Sequence, residues 1–148
     1  SGTVAAAKEG AFLGIPAIAL SIVAREDFLF RDAAQVAAEL VPLVGGTAAH
    51  EESAVLNVNV PNRPFPDIRG FQVTRLGKRI YTDNVVERVD PRGQVYYWIG
   101  GNGDRYELTE GTDFFAVEHG FVSITPLALD LTSLSSIDHY TKHLRRVL

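Results

Sequence analysis

Two short apolar runs, each preceded by a helical pattern, constrain this chain more than any other feature. Pro16-Ala17-Ile18-Ala19-Leu20-Ser21-Ile22-Val23 is apolar at nearly every position. That pattern fits a strand covered on both faces, as in a parallel sheet of an α/β protein. Ahead of it, Ser1 to Leu13 reads as a helix stopped by Gly14. Behind it, Asp32 opens a second helix in which Ala33, Val36, Ala37, Leu40, Val41 and Val44 recur at helical spacing up to Gly45-Gly46. Ala54 to Val60 is a second strand, ended by Pro61. Helix, strand, helix, strand is half of a doubly wound sheet. The expected fold is therefore α/β, a partial three-layer α/β/α sheet over residues 1–61. The chain has no initiating methionine and opens on a cap instead of a strand. It is accordingly expected to be the downstream part of a longer protein, whose first strands lie elsewhere.

Residues 62–148 have a different texture. Pro61, Pro64 and Pro66 make an irregular connection, and Phe71 to Leu76 reads as a strand. Thr82–Val89 and Gln94–Ile99 flank Asp90-Pro91-Arg92-Gly93, with Pro and Gly where a tight reversal needs them. A long hairpin over about 82–100 follows. Its second arm carries Tyr96-Tyr97-Trp98, which cannot all face one side. A lone hairpin is marginal in water, so this one should pack on the body or on a second subunit. Thr112 caps a short helix from Asp113 to His119, ended by Gly120. Phe121 to Asp130 is a further strand, and a terminal helix spans about 133–147 with Lys142, Arg145 and Arg146 at its end, where the helix dipole favours cations.

Composition excludes several classes. A net charge of −4 and a pI near 5.5 argue against a duplex nucleic-acid binder, which would carry a basic stripe. The chain has no cysteine, so disulfides, zinc knuckles and thiol nucleophiles are ruled out over these residues, and a cytoplasmic setting is expected. The longest apolar run, Ile15 to Ala24, is too short for a membrane span.

The opening tripeptide is the one candidate site. Ser1 can cap a helix, Gly2 lets a ligand approach the backbone, and Thr3 adds a hydroxyl. Such a helix start aims unpaired N–H groups and a partial positive charge at one point, which suits a phosphate. Read alone, the tripeptide is more often an ordinary cap with no ligand. Other candidates read as bland. His139 and His143 stand four apart but lack the intervening Glu of a helical metal motif. His50 reads as solvated, His119 as a helix-end residue, and Gly101-Asn102-Gly103 as a flexible exit from the hairpin. Asn57, Asn59 and Arg75 fit either a site or ordinary structural bonding. No catalytic set and no metal ligand is assigned in this chain.

Ser1-Gly2-Thr3-Val4-Ala5-Ala6-Ala7 resembles the motif of the SurE survival-protein nucleotidases, usually a tyrosine followed by Ser-Gly-Thr-Val-Gly-Ala-Ala. The likeness continues in order through Gly14-Ile15-Pro16, Leu56-Asn57-Val58-Asn59-Val60-Pro61, Val73-Thr74-Arg75-Leu76-Gly77, Asp90-Pro91-Arg92-Gly93, Tyr97-Trp98-Ile99-Gly100-Gly101, Glu110-Gly111-Thr112-Asp113 and Val122-Ser123-Ile124-Thr125-Pro126-Leu127. The resemblance implies a Rossmann-like domain followed by a hairpin-bearing C-terminal part. It also implies a phosphatase releasing nucleoside and phosphate from nucleoside 5′- or 3′-monophosphates, with possible exopolyphosphatase activity. A divalent cation, magnesium or manganese, would be held by an Asp-Asp pair, a serine and an asparagine upstream of this segment. Ser1, Gly2 and Thr3 would be the phosphate-binding residues, with Ala5 where the family usually has glycine. Homodimers or homotetramers would form through the hairpin and C-terminal helix. The other class of reading is a non-catalytic oligomerisation module.

Overall fold

The computed structural model describes residues 2–46, 55–80, 85–99 and 105–144. Helix α1 spans Gly2–Phe12, strand β1 Ala17–Val23, helix α2 Phe30–Gly46 and strand β2 Val55–Pro61. A single 3-10 turn at Phe65–Asp67 leads to β3, Phe71–Val73. Strands β4 (Arg79–Ile80), β5 (Val85–Val89), β6 (Val95–Ile99) and β7 (Arg105–Tyr106) follow. The chain continues through α3 (Asp113–Glu118), β8 (Val122–Leu127) and α4 (Leu134–Leu144).

The main sheet has the order β1-β2-β8-β3. β1 and β2 are parallel, with Ala17 beside Val55 and Ser21 beside Asn59. β8 enters antiparallel to β2, and β3 runs parallel to β8 on its far side. The sheet thus takes two strands from before Asn62 and two from after it.

Strand pleating sorts the residues of this sheet onto two unlike faces. Ile18, Leu20, Ile22, Leu56, Val58, Val60, Val122 and Ile124 meet Ala33, Val36 and Leu40 of α2 in the apolar core. On the opposite face Ala17 and Ala19 lie near α1, while Ser21, Asn57, Asn59, Ser123 and Thr125 make a polar row. The Thr74 hydroxyl reaches into that row, 2.9 Å from Ser123 Oγ and 2.7 Å from Thr125 Oγ1. α1 and α3 cover this second face and α2 the first, giving three layers.

The helix ends follow the expected chemistry with one shift. Gly14, at φ +77°, closes α1: its amide bonds to Ala11 O and that of Ile15 to Gly10 O, the paired geometry of a glycine stop. Asp32 was expected to open α2 but lies in its first turn, where its Oδ1 accepts the Phe65 amide at 2.7 Å instead of capping the helix. The actual entry is held by Asn62, whose Oδ1 accepts from Leu29 N at 3.0 Å and whose Nδ2 donates to Asp27 O at 3.1 Å. Phe71 to Leu76 was expected as one strand. It stops at Val73, where Thr74 turns its hydroxyl into the polar row and Arg75 bridges to Thr112.

The hairpin forms as expected around Asp90-Pro91-Arg92-Gly93. Asp90 Oδ1 accepts from Arg92 N and Gln94 N, both at 2.8 Å, and Val89 pairs with Val95. Its arms β5 and β6 make a separate two-stranded sheet. Val85, Val89, Val95 and Tyr97 share one face; Val86, Tyr96 and Trp98 share the other. All seven are exposed, so of the two coverings expected for the hairpin, the body does not supply one among the described residues. Leu134, Ile137, Tyr140 and Leu144 form an exposed stripe along α4. Residues 81–84, 100–104 and 145–148, which include part of the expected hairpin base, Gly101-Asn102-Gly103 and the end of the terminal helix, lie outside the described residues, as does His50.

Candidate phosphate site and adjoining cleft

α1 is built from residues that favour helix, and its first turn starts beside the carboxyl ends of β1 and β2. In α/β sheets, ligands bind in that position. Gly2 and Thr3 open the helix and are exposed. Ser1 lies outside the described residues. A Cβ at Gly2 would meet nothing within 4 Å, so the backbone there is open to solvent. Thr3 borders a depression of about 500 Å³ with Leu20, Ser21, Ile22, Phe28 and Phe30.

Val4 borders a larger cleft of about 620 Å³ on the polar face of the sheet. Its floor is Ser21, Asn57 and Asn59, so the asparagines left open by the sequence line the cleft. The far wall consists of Leu76, Gly77, Arg79, Tyr106, Phe114 and Glu118, among others.

That wall is fastened at several points. Thr112 caps α3 as expected, accepting the Phe115 amide at 3.4 Å and donating to Thr109 O at 2.6 Å. Asp113 is buried, and its Oδ1 accepts from Gly77 N at 2.7 Å and Phe114 N at 2.9 Å. The Arg75 amide donates to Gly111 O, and its carbonyl accepts from Asp113 N. Arg75 therefore serves the wall through its main chain. β4 and β7 pair Arg79 with Tyr106. The Lys78 carbonyl accepts from Glu107 N beside a Lys78–Glu107 ion pair of 3.4 Å. The rings of Tyr106 and Phe114 stack at 4.6 Å with 7° between planes. Tyr106 donates its hydroxyl to Glu118 Oε2 at 3.1 Å. Burial, then this bond and the carboxylate's charge, push the Tyr106 phenol above its ordinary range.

The three described histidines fall where they were expected. His119 ends α3 with its ring on Phe115 and Nδ1 2.8 Å from Phe115 O. His139 and His143 are exposed neighbours on α4, with ring centroids 4.3 Å apart. Among the described residues, no three His, Asp or Glu side chains come together as a metal site. The described residues do not, by themselves, fit a divalent cation. No helix among the described residues is long and apolar enough to cross a membrane.

A three-layer sheet with a helix opening beside its strand ends and a polar cleft on one face defines a Rossmann-like α/β domain. The sequence profile described as Survival protein SurE matches residues 1–83, and the chain belongs to that family. The crystal structure of SurE protein from Aquifex aeolicus is similar to it over 98% of this chain, at 42% identity and a TM-score of 0.79. The chain spans 58% of the length of that protein. The profile match ends at Asp83, so for residues 84–148 the likeness rests on the solved structure.

Proposed function

We propose that this chain is part of a metal-dependent phosphomonoesterase that hydrolyses nucleoside 5′- or 3′-monophosphates to nucleoside and phosphate, with short polyphosphate as a further substrate. The observation that carries the reading is the placement of Gly2 and Thr3 at the start of α1, beside the carboxyl ends of β1 and β2. Family membership supports the same chemistry.

In this reading Ser1, Gly2 and Thr3 hold the non-bridging phosphoryl oxygens through backbone N–H groups and the two hydroxyls. Charge-assisted bonds of this kind contribute about 1.5–3 kcal/mol each. They hold the phosphoryl group in line for attack and match the charge spread over its equatorial oxygens in the transition state. The cation, magnesium or manganese, supplies Lewis acidity when bound. Its ligands lie on polypeptide outside these 148 residues, and the chain alone is inactive. The site works in the cytoplasm.

The uncovered hairpin favours an added assembly role. Its two apolar faces, with the α4 stripe, join copies of the protein as a dimer or tetramer. A purely structural module is the competing reading. Phosphate release from AMP by the full-length protein with added magnesium or manganese decides between them. Turnover that disappears with a chelator is expected, and no release with either metal overturns the enzymatic reading.

A further inference from the structure

We propose that the wall formed by Tyr106, Phe114 and Glu118 is the subsite for the base of the nucleotide. This rests on the phosphatase reading and extends it from the phosphate to the leaving group.

The cleft runs from Val4, in the first turn of α1, across Ser21, Asn57 and Asn59 to this wall. Its volume of about 620 Å³ lies within the range of small-molecule sites. Val4, which lines this cleft, directly follows Thr3, so a nucleotide whose phosphate meets the start of α1 can extend its nucleoside into it. Two chemistries converge there. The Tyr106–Phe114 stack presents flat aromatic surface, against which a planar base is stabilised without regard to its identity. Glu118 accepts one hydrogen bond from Tyr106, and a carboxylate has capacity for more. That spare capacity suits the N–H donors of a base.

The wall is also held in advance of any ligand. Phe114 follows Asp113, which is tied to Gly77, and Tyr106 is fixed on β7 opposite Arg79. A rigid wall loses little entropy on binding. A glycerol phosphate, with no ring, would gain nothing from it.

The test is steady-state hydrolysis of AMP, GMP and glycerol 2-phosphate by the full-length protein with its metal. For Tyr106→Leu, KM for both nucleotides is expected to rise at least tenfold, with kcat and the glycerol 2-phosphate constants changed less than twofold. Glu118→Gln should raise nucleotide KM at least threefold with the same selectivity. Tyr106→Phe, which keeps the ring and loses the bond to Glu118, should raise nucleotide KM less than Tyr106→Leu does, and unchanged glycerol 2-phosphate constants exclude misfolding as the cause. Equal losses on all three substrates, or unchanged nucleotide KM, overturn the subsite and leave the phosphatase reading standing. Wild-type protein that hydrolyses none of them overturns both.

Discussion

The Asp113 carboxylate accepts the Gly77 amide at 2.7 Å, and a side chain at position 77 would drive into the Phe114 ring and lie 2.8 Å from that same carboxylate oxygen. Two segments far apart in sequence are thereby locked with no space between them. The absence of a Cβ at Gly77 is what lets the cleft wall close.

Gly77→Ala is accordingly expected to destabilise the protein by about 1–3 kcal/mol, the usual cost of overpacking a filled site. Urea unfolding of the full-length protein measures it. A midpoint equal to wild type would show that Phe114 can move aside freely.

Asn62 makes two bonds across the entry to α2, to Leu29 N and Asp27 O. Asn62→Ala removes both, with an expected loss of about 1–3 kcal/mol from two ordinary hydrogen bonds. Thermal unfolding reads the change. Wild-type stability would mean that water replaces the asparagine without penalty.

At the phosphate site, Thr3→Val keeps shape and removes a hydroxyl from an exposed position. It should slow phosphate release about tenfold or more, by the worth of one charge-assisted bond, and leave the melting temperature in place. Ser1→Ala is expected to act in the same direction. If neither changes the rate, the start of α1 does not hold the phosphoryl group.

Tyr106 supplies a pH dependence. Burial first, then its bond to Glu118 and that group's charge, keep its proton on above the ordinary value of 10.0. A raised folded-state value gives stability present in full below pH 10 and lost as pH rises through the folded value. The melting temperature of wild type should therefore fall more steeply than that of Tyr106→Phe on titration above pH 10. Parallel curves would contradict this.

Neither hairpin face is covered by the described chain, and Val89, Val95 and Tyr97 line one of them. Replacing Val89 and Tyr97 together by lysine should lower the mass found by light scattering to that of a smaller assembly, with the main sheet unaffected. An unchanged mass would place the interface elsewhere.

The sequence was most legible where one residue type has one use. Gly14 stops α1, Thr112 caps α3 and Asp90-Pro91-Arg92-Gly93 turns the hairpin, each through local chemistry. The direction of β8 was not legible, since side-chain alternation is the same for parallel and antiparallel neighbours. Strands of two residues, β4 and β7, leave no periodic trace. The cleft wall was missed for a related reason. Tyr106 and Phe114 are eight positions apart, and only tertiary folding stacks them. Phe114 and Glu118, four apart on one helix, were the single local hint. Asp113 was read only as the first residue of a short helix, and its bond to Gly77 spans 36 positions.

Because β8 is inserted between β2 and β3, the inner hydrogen-bonding edge of β2 has no partner until Val122–Leu127 has been made. During synthesis the ribosome must extend well past that point before the sheet can close. Until then the nascent chain presents an open strand. Chaperone occupancy should therefore persist until Val122–Leu127 has emerged, and a stop codon anywhere ahead of residue 122 should give a product that is cleared instead of stored.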